Sequence, residues 1–373
     1  MLENKIYQNF SYEILKNFII ILFGLSIIAL TARAVNFLDL IVDNGYPIKT
    51  YFQYCFLNLF GIAPKFFPLS FLLAITVFII NHINDSEFVI LWTSGVKKIS
   101  IVNLFLFTSI IVFLLNLFLS SIVTPLALNK SRKILSQDHL NSFFPTIKAQ
   151  QFSDSFKGFT FIVENKFNNE LKHIFLHDEG NNLNKLTSNA TDTLSTTIVA
   201  EKGLASDSRI ILFNGQIISS KKNQFNNEII KFDQLNVDLR KLSTRTIKLP
   251  KIQETSTYQL LKCMMKKNIN LQFCNDDSLK EILPVLIRRL ILPLYIPVIS
   301  LICCLLLVKS NSIFFNRYFI FSYGFIFLVL SELLIRYTGI NYFVRQLYIF
   351  FPVILILFLY FLLIKFFSKE TQK

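Results

Sequence analysis

Long apolar runs at residues 17–36, 51–80, 101–123, 283–308, 318–337 and 347–367 flank one extended polar stretch at 126–280. Each run is close to or above the roughly 20 residues needed to cross bilayer hydrocarbon, so six membrane helices are predicted, three on each side of the polar stretch. Residues 1–16 are amphipathic, with Lys5 and Lys16, and read as a lead-in helix. Ala32-Arg33-Ala34 has the form of a signal cleavage site, but the long mixed-charge start and the generous apolar run favour a retained first span. Gly61, Pro64 and Pro68 fall inside the second run, which should be kinked or preceded by an interfacial piece. Asp43-Asn44-Gly45-Tyr46-Pro47 reads as a turn between the first two spans.

The polar stretch changes period. Short β-prone segments at 159–163, 173–177, 196–200, 210–213, 216–219, 228–232 and 235–239 alternate with Gly, Asn and Asp clusters, the pattern of a sandwich, jelly roll or partly open barrel. Residues 256–266 read as a short helix leading back to the membrane. The predicted fold class is a membrane α + β protein, six transmembrane helices with an inserted jellyroll-like β domain. Its parts are a first helical half at 1–125, the β domain at 126–255, a linker helix at 256–282 and a second helical half at 283–373.

The break at 84–100, NDSEFVILWTSGVKKIS, has a pattern of its own. Ser86 is a candidate N-cap, with Asp85 and Glu87 near the positive end of a helix dipole. Phe88, Leu91, Trp92 and Ile99 recur at helical spacing, and Gly95 leaves a gap on that face. Lys97 and Lys98 stand at the far end. The segment reads either as a helix lying flat on the membrane surface or as an ordinary interfacial loop.

Composition agrees with a membrane protein: of 373 residues, 53% are hydrophobic and 17% charged, well below the quarter usual in soluble domains. A net charge of +14 raises nucleic acid as a partner, but no basic helix or basic-aromatic RNA-binding motif occurs. A lipid phosphate or a membrane surface suits the charge better. Lys97, Lys98, Lys309, Arg317, Lys365, Lys369 and Lys373 fall on one side with the N-terminus, which places both termini in the cytoplasm and the β domain outside. Cys55, Cys263, Cys274, Cys303 and Cys304 show no metal-ligand spacing; Cys263 and Cys274 can bridge only in an oxidising compartment. His82, His139, His173 and His177 are scattered, with the last two on a strand surface. No phosphate-binding P-loop, H-E-x-x-H, G-x-S-x-G or dinucleotide fingerprint occurs, so neither catalysis, a metal nor a cofactor is expected of these residues.

Cations at membrane depth are expensive, and either snorkel to headgroups or serve function. Arg33, Lys65, Arg132, Lys133, Arg288 and Arg289 are all expected near the outer leaflet, where as a set they suit an anionic lipid. Glu332 and Arg336 are spaced to pair with each other along the fifth span.

S-E-[FI]-x-x-[LM]-x-x-x-G followed by a basic residue is similar to the coupling segment of the LptF/LptG (YjgP/YjgQ) permeases of lipopolysaccharide export. V-D-N-G-Y-P at 42–47, F-P-L-S at 67–70 and the strand-turn-strand at 198–219 resemble other parts of that family, with the V-D-N-G-Y-P and S-E-F contexts nearer its F branch. Arg288-Arg289-Leu290 with Pro293-Leu294 resembles the start of its fourth span, where an acidic residue commonly stands three or four positions earlier; here Pro284 and Val285 hold those places and Glu281 lies further back. The resemblance implies an inner-membrane half-transporter. It would pair with a paralogous permease and be driven by a cytosolic ABC ATPase dimer that uses the ATP. Lipopolysaccharide would pass from among the membrane lipids to a periplasmic jellyroll bridge protein. It further implies ATPase coupling through Glu87, Phe88, Leu91, Trp92, Gly95 and Val96. A reading from another class is a membrane-anchored sensor or scaffold, although three spans on each side of one domain exceed what anchoring needs.

Overall fold

The computed structural model describes residues 2–42, 46–146, 149–156, 158–167, 170–179, 193–206, 209–221, 228–238, 251–265, 274, 276–308 and 317–371. In chain order, α1 (Leu2–Phe37), a short α2 (Asp39–Val42), α3 (Ile48–Asn84), α4 (Glu87–Thr93) and α5 (Lys98–Phe118) lead through one π-helical turn, Leu119–Val123, into α6 (Thr124–Thr146). Strands β1 (Ser153–Phe156), β2 (Phe159–Phe167), β3 (Glu170–Asp178), β4 (Thr193–Ser206), β5 (Arg209–Lys221) and β6 (Glu228–Asp238) follow. The chain returns through α7 (Thr257–Met264), α8 (Asp276–Leu290), α9 (Tyr295–Cys304), α10 (Arg317–Tyr337) and α11 (Tyr342–Thr371). Six helical stretches are long and apolar enough to cross a membrane, at the six predicted places. Two boundaries differ from the expectation: the lead-in and first span form one helix, and helix continues past residue 125 to Thr146. The turn residues 43–45 and Lys309 lie outside the described residues.

Contacts divide the chain into two compact units, Met1–Arg33 with Phe56–Asn129 and Lys251–Lys373, and Ala34–Cys55 with Lys130–Pro250. In the first unit the fourth span is the most buried, at 72% of its apolar window, and the first, sixth and fifth are the least, at 11%, 17% and 22%. The fourth span is therefore the axis of this unit, and the other three leave broad apolar faces for lipid or for another chain. Proline positions in the spans explain several inter-helix bonds. Pro64 has no amide to give Phe60 O, which accepts from Thr124 Oγ1 at 2.7 Å instead. Pro293 likewise leaves Arg289 O to Ser120 Oγ at 2.9 Å, and Pro352 leaves Tyr348 O to Tyr295 Oη at 3.1 Å. Pro284 likewise has no amide to give Lys280 O, against which Gly339 lies so close that an added methyl would clash with it.

The six strands of the second unit form one open antiparallel sheet in sequence order. Its core is Phe159, Phe161, Val163, Leu171, Ile174, Leu176, Ile198, Ala200, Ile210, Leu212, Ile217 and Val237. The inward alternation reverses along one row that crosses the sheet: Leu171 and Ile174 are both buried, as are Leu212 and Ile217, and β4 turns inward at Ala200 and again at Gly203. His173 and Asn214 sit on that row with left-handed backbone, φ 51° and 52°. Beside it, a Cβ on Gly215 would stand 2.4 Å from Val199 O. The sheet turns sharply there, and a hydrophobic pattern read by strict alternation breaks at the same point. That is why 210–213 with 216–219, and 228–232 with 235–239, read as four strands where the chain forms two, β5 and β6.

Candidate functional site

Two polar clusters lie in the first unit along α3, one at its C-terminal end and one near its middle. At its C-terminal end His82 is buried, and its Nδ1 donates to Phe78 O at 2.9 Å. Its Nε2 faces Glu87 Oε2 at 3.2 Å and Glu13 Oε2 at 3.6 Å, joining α1, α3 and α4. Sequence reading missed Glu13 and His82, because the three residues are far apart along the chain or separated by a turn. Only the continuation of the helical pattern to Asn84 would have placed His82 beside Glu87.

The helix after it is shorter than its pattern. Ser86 precedes α4 but has left-handed backbone, φ 63°, and makes no side-chain capping bond. Strain at that position is the form the turn takes after α3 ends. α4 closes in a Schellman arrangement, Val96 N to Leu91 O at 3.1 Å and Gly95 N to Trp92 O at 3.2 Å. Gly95 is therefore the left-handed C-terminal residue, φ 95°, rather than a gap in an apolar face. Lys97 and Lys98 do not finish this helix; they open α5, and Lys98 Nζ lies 4.4 Å from the Trp92 ring centroid and 5.6 Å from that of Phe367.

Four of the six predicted coupling residues, Phe88, Leu91, Trp92 and Val96, face the unit's own core. Phe88 is 1% exposed, edge-on to Phe10 at 6.2 Å and stacked with Trp92 at 6.0 Å. Leu91, Trp92, Val96 and Ile99 pack against the same core. The apolar stripe is thus spent on the unit's own helices, which offer apolar surface in the same chain. What α4 turns outward is Glu87, Val89, Thr93 and Ile90, the last 64% exposed.

Near the middle of α3, a cavity of about 320 Å³ is lined by Lys65, Arg288, Glu332 and Arg336 among apolar side chains of α3 and α10 and Leu292. Arg288 Nη2 donates to Glu332 Oε2 at 2.7 Å, so Glu332 pairs across helices with Arg288, where the i, i+4 spacing had suggested Arg336. Arg33, Arg288 and Glu332 all act electrostatically on Lys65. Two of the six predicted lipid-binding cations, Lys65 and Arg288, line this cavity, and Arg336 joins them unpredicted; Arg33 is not among the lining residues. Arg289 is not among them. It is 5% exposed, and its guanidinium donates to Gln253 O at 2.7 Å, Thr255 O at 2.9 Å and Thr257 Oγ1 at 3.1 Å. Thr257 Oγ1 in turn donates to Ser121 O at 2.6 Å, so Arg289 fixes the returning chain to the third and fourth spans. Arg132 and Lys133 lie on α6 in the second unit.

Cys263 and Cys274 form a disulfide beside a small core of Leu260, Ile282 and Leu286. Ser256 caps α7, its Oγ accepting from Gln259 N at 3.3 Å. Among the described residues no group of three or more His, Cys, Asp or Glu side chains could hold a metal ion.

Compared with known families, residues 11–366 match the model described as lipopolysaccharide export system permease LptF/LptG. No curated protein matches the chain.

Proposed function

The chain belongs to the lipopolysaccharide export permease family LptF/LptG and is a multi-pass protein of the inner membrane, and on that premise we propose how its two ends divide the work. The chain acts as one half of an ABC exporter. A paralogous permease covers the poorly buried first, fifth and sixth spans, and a cytosolic ATPase dimer supplies the energy. Both termini are cytoplasmic and the sheet is periplasmic, a placement favoured by the Cys263–Cys274 disulfide, since such bonds persist in oxidising compartments. The sheet passes the glycolipid to a periplasmic jellyroll bridge protein.

The observation that carries the reading is the cationic cavity. Lys65, Arg288 and Arg336 surround a single carboxylate, Glu332, and Arg33 adds to the surplus of positive charge. An apolar lining with excess cations suits an amphiphile bearing phosphates, because guanidinium and ammonium groups make charge-assisted bonds to phosphate oxygens. At the cytoplasmic end Glu87 and the outward residues Val89, Ile90 and Thr93 form the ATPase contact, while Phe88, Leu91, Trp92, Gly95 and Val96 hold that helix in place. Arg132 and Lys133 remain candidates for a later contact along the export path.

Photo-crosslinkers at positions 65 and 336 test the cavity. Adducts with lipopolysaccharide that increase when ATP turnover is blocked are expected. Crosslinks to bulk phospholipid alone would remove the cavity from the route. A cytoplasm-dependent reporter fused at residue 189 tests the topology: it should be silent, and strong activity would overturn the assigned orientation.

A further inference from the structure

His82 supplies neither a lipid contact nor an outward surface, yet it is a buried ionisable side chain between two carboxylates. Nδ1 is 2.9 Å from Phe78 O, and a carbonyl only accepts, so Nδ1 carries a hydrogen. Nε2 then faces Glu87 Oε2 at 3.2 Å and Glu13 Oε2 at 3.6 Å, and ionised carboxylates also only accept. A neutral ring would turn a bare lone pair toward two negative groups. The arrangement is satisfied when the ring donates from both nitrogens, as imidazolium. The ring is also held in place by aromatic neighbours, with Phe78 at 4.0 Å, Phe10 at 5.0 Å and Phe88 at 5.7 Å between centroids.

From this geometry we infer that His82 is a positioning residue for energy coupling: as a cation it ties Glu87 on α4 to Glu13 on α1 and so fixes the outward face of α4. The inference rests on the reading of α4 as the ATPase contact. It adds the reason that face is rigid. α4 has only seven residues and no side-chain cap at its start, so its own hydrogen bonds hold it weakly. The Glu13–His82–Glu87 bridge anchors its first turn, and the Schellman closure at Gly95 anchors its last. The bridge carries two carboxylates against one cation, and Glu87 remains half-exposed. A cationic side chain of the partner can therefore pair with the carboxylate that His82 orients.

The test uses the full chain in lipid nanodiscs, with Trp92, its only tryptophan, as the probe of α4. His82→Phe keeps an aromatic ring among Phe10, Phe78 and Phe88 but removes the charge; His82→Lys keeps the charge. His82→Phe should raise acrylamide quenching of Trp92 about twofold and lower recovery of the co-expressed ATPase about tenfold, and His82→Lys should restore both to within about twofold of the parent. If the two variants both match the parent, or are both altered alike, the charge has no positioning role and the inference is overturned. Should neither histidine variant accumulate, Glu13→Gln decides: increased Trp92 quenching supports the bridge, and unchanged quenching refutes it. The quenching is read without ATPase. A parent chain that never recovers an ATPase would therefore sink the coupling reading while leaving the positioning result intact.

Discussion

Helix α3 carries two ionic clusters of opposite surplus. Lys65 and His82 are seventeen residues apart on it, or ~25 Å at ~1.5 Å per residue, close to the thickness of bilayer hydrocarbon. Around Lys65 the cations Arg288 and Arg336 outnumber Glu332, and around His82 the carboxylates Glu13 and Glu87 outnumber the ring. The first cluster borders an open cavity among apolar side chains; the second is packed against phenylalanine rings at a helix junction. One helix thus carries a surplus of positive charge near its middle and a surplus of negative charge at its C-terminal end. A charged group in an apolar setting persists when it is paired or when it serves a partner, and here each cluster is paired in part and leaves a remainder.

The contrast is broken most severely by emptying the cationic cluster. Lys65→Ala, Arg288→Ala and Arg336→Ala combined should reduce lipopolysaccharide crosslinking in the cavity by at least about a hundredfold, since each charge-assisted contact is worth on the order of 1.5–3 kcal/mol. Recovery of the ATPase should be unchanged. A fall in both would mean that the two clusters are one structural system.

Two neighbouring substitutions on α4 sharpen the other cluster. Ile90 faces outward and Leu91 packs inward. Ile90→Asp should lower ATPase recovery about tenfold with Trp92 quenching unaltered. Leu91→Asp buries a carboxylate in the core and should lose both, at a cost of roughly 3 kcal/mol to the folded unit. Equal behaviour of the two variants would contradict the orientation of α4.

The Arg288–Glu332 pair separates charge from placement. Glu332→Gln should weaken the tie between α8 and α10 by about 1 kcal/mol, a modest value because both side chains are partly exposed. Exchanging the partners, Arg288→Glu with Glu332→Arg, should recover thermal stability and keep substrate crosslinking within a few-fold. Gly95→Ala is the smallest expected change. No atom obstructs the added methyl, but the left-handed backbone at φ 95° costs about 1 kcal/mol, seen as a slight rise in Trp92 quenching.

The sequence disclosed what lipid and water enforce on long stretches. Six spans were legible because each requires some twenty apolar residues together, and the inserted β domain was legible because its period changed to two. The direction in which α4 turns its stripe was not. Phe88, Leu91 and Trp92 reveal an apolar face, but the pattern is the same whether that face meets a partner or the chain's own core. The Glu13–His82–Glu87 bridge was hidden because it joins three helices whose meeting depends on tertiary packing. In the sheet, the reversal at His173, Gly203 and Asn214 mimicked strand ends, since a change of inward parity looks like a turn when only alternation is followed. Arg289 sits beside Arg288 and carries the same charge, yet one lines a cavity and the other is consumed by Gln253, Thr255 and Thr257; adjacent positions on a helix point about 100° apart.

On this account the middle of α3 and its C-terminal end serve chemically different partners. The most direct test places one photo-crosslinkable residue at position 65 and, in a second variant, one at position 90, in cells exporting lipopolysaccharide. Position 65 should give glycolipid adducts and no ATPase, and position 90 ATPase adducts and no glycolipid. Glycolipid at both positions, or the ATPase at neither, would contradict the account.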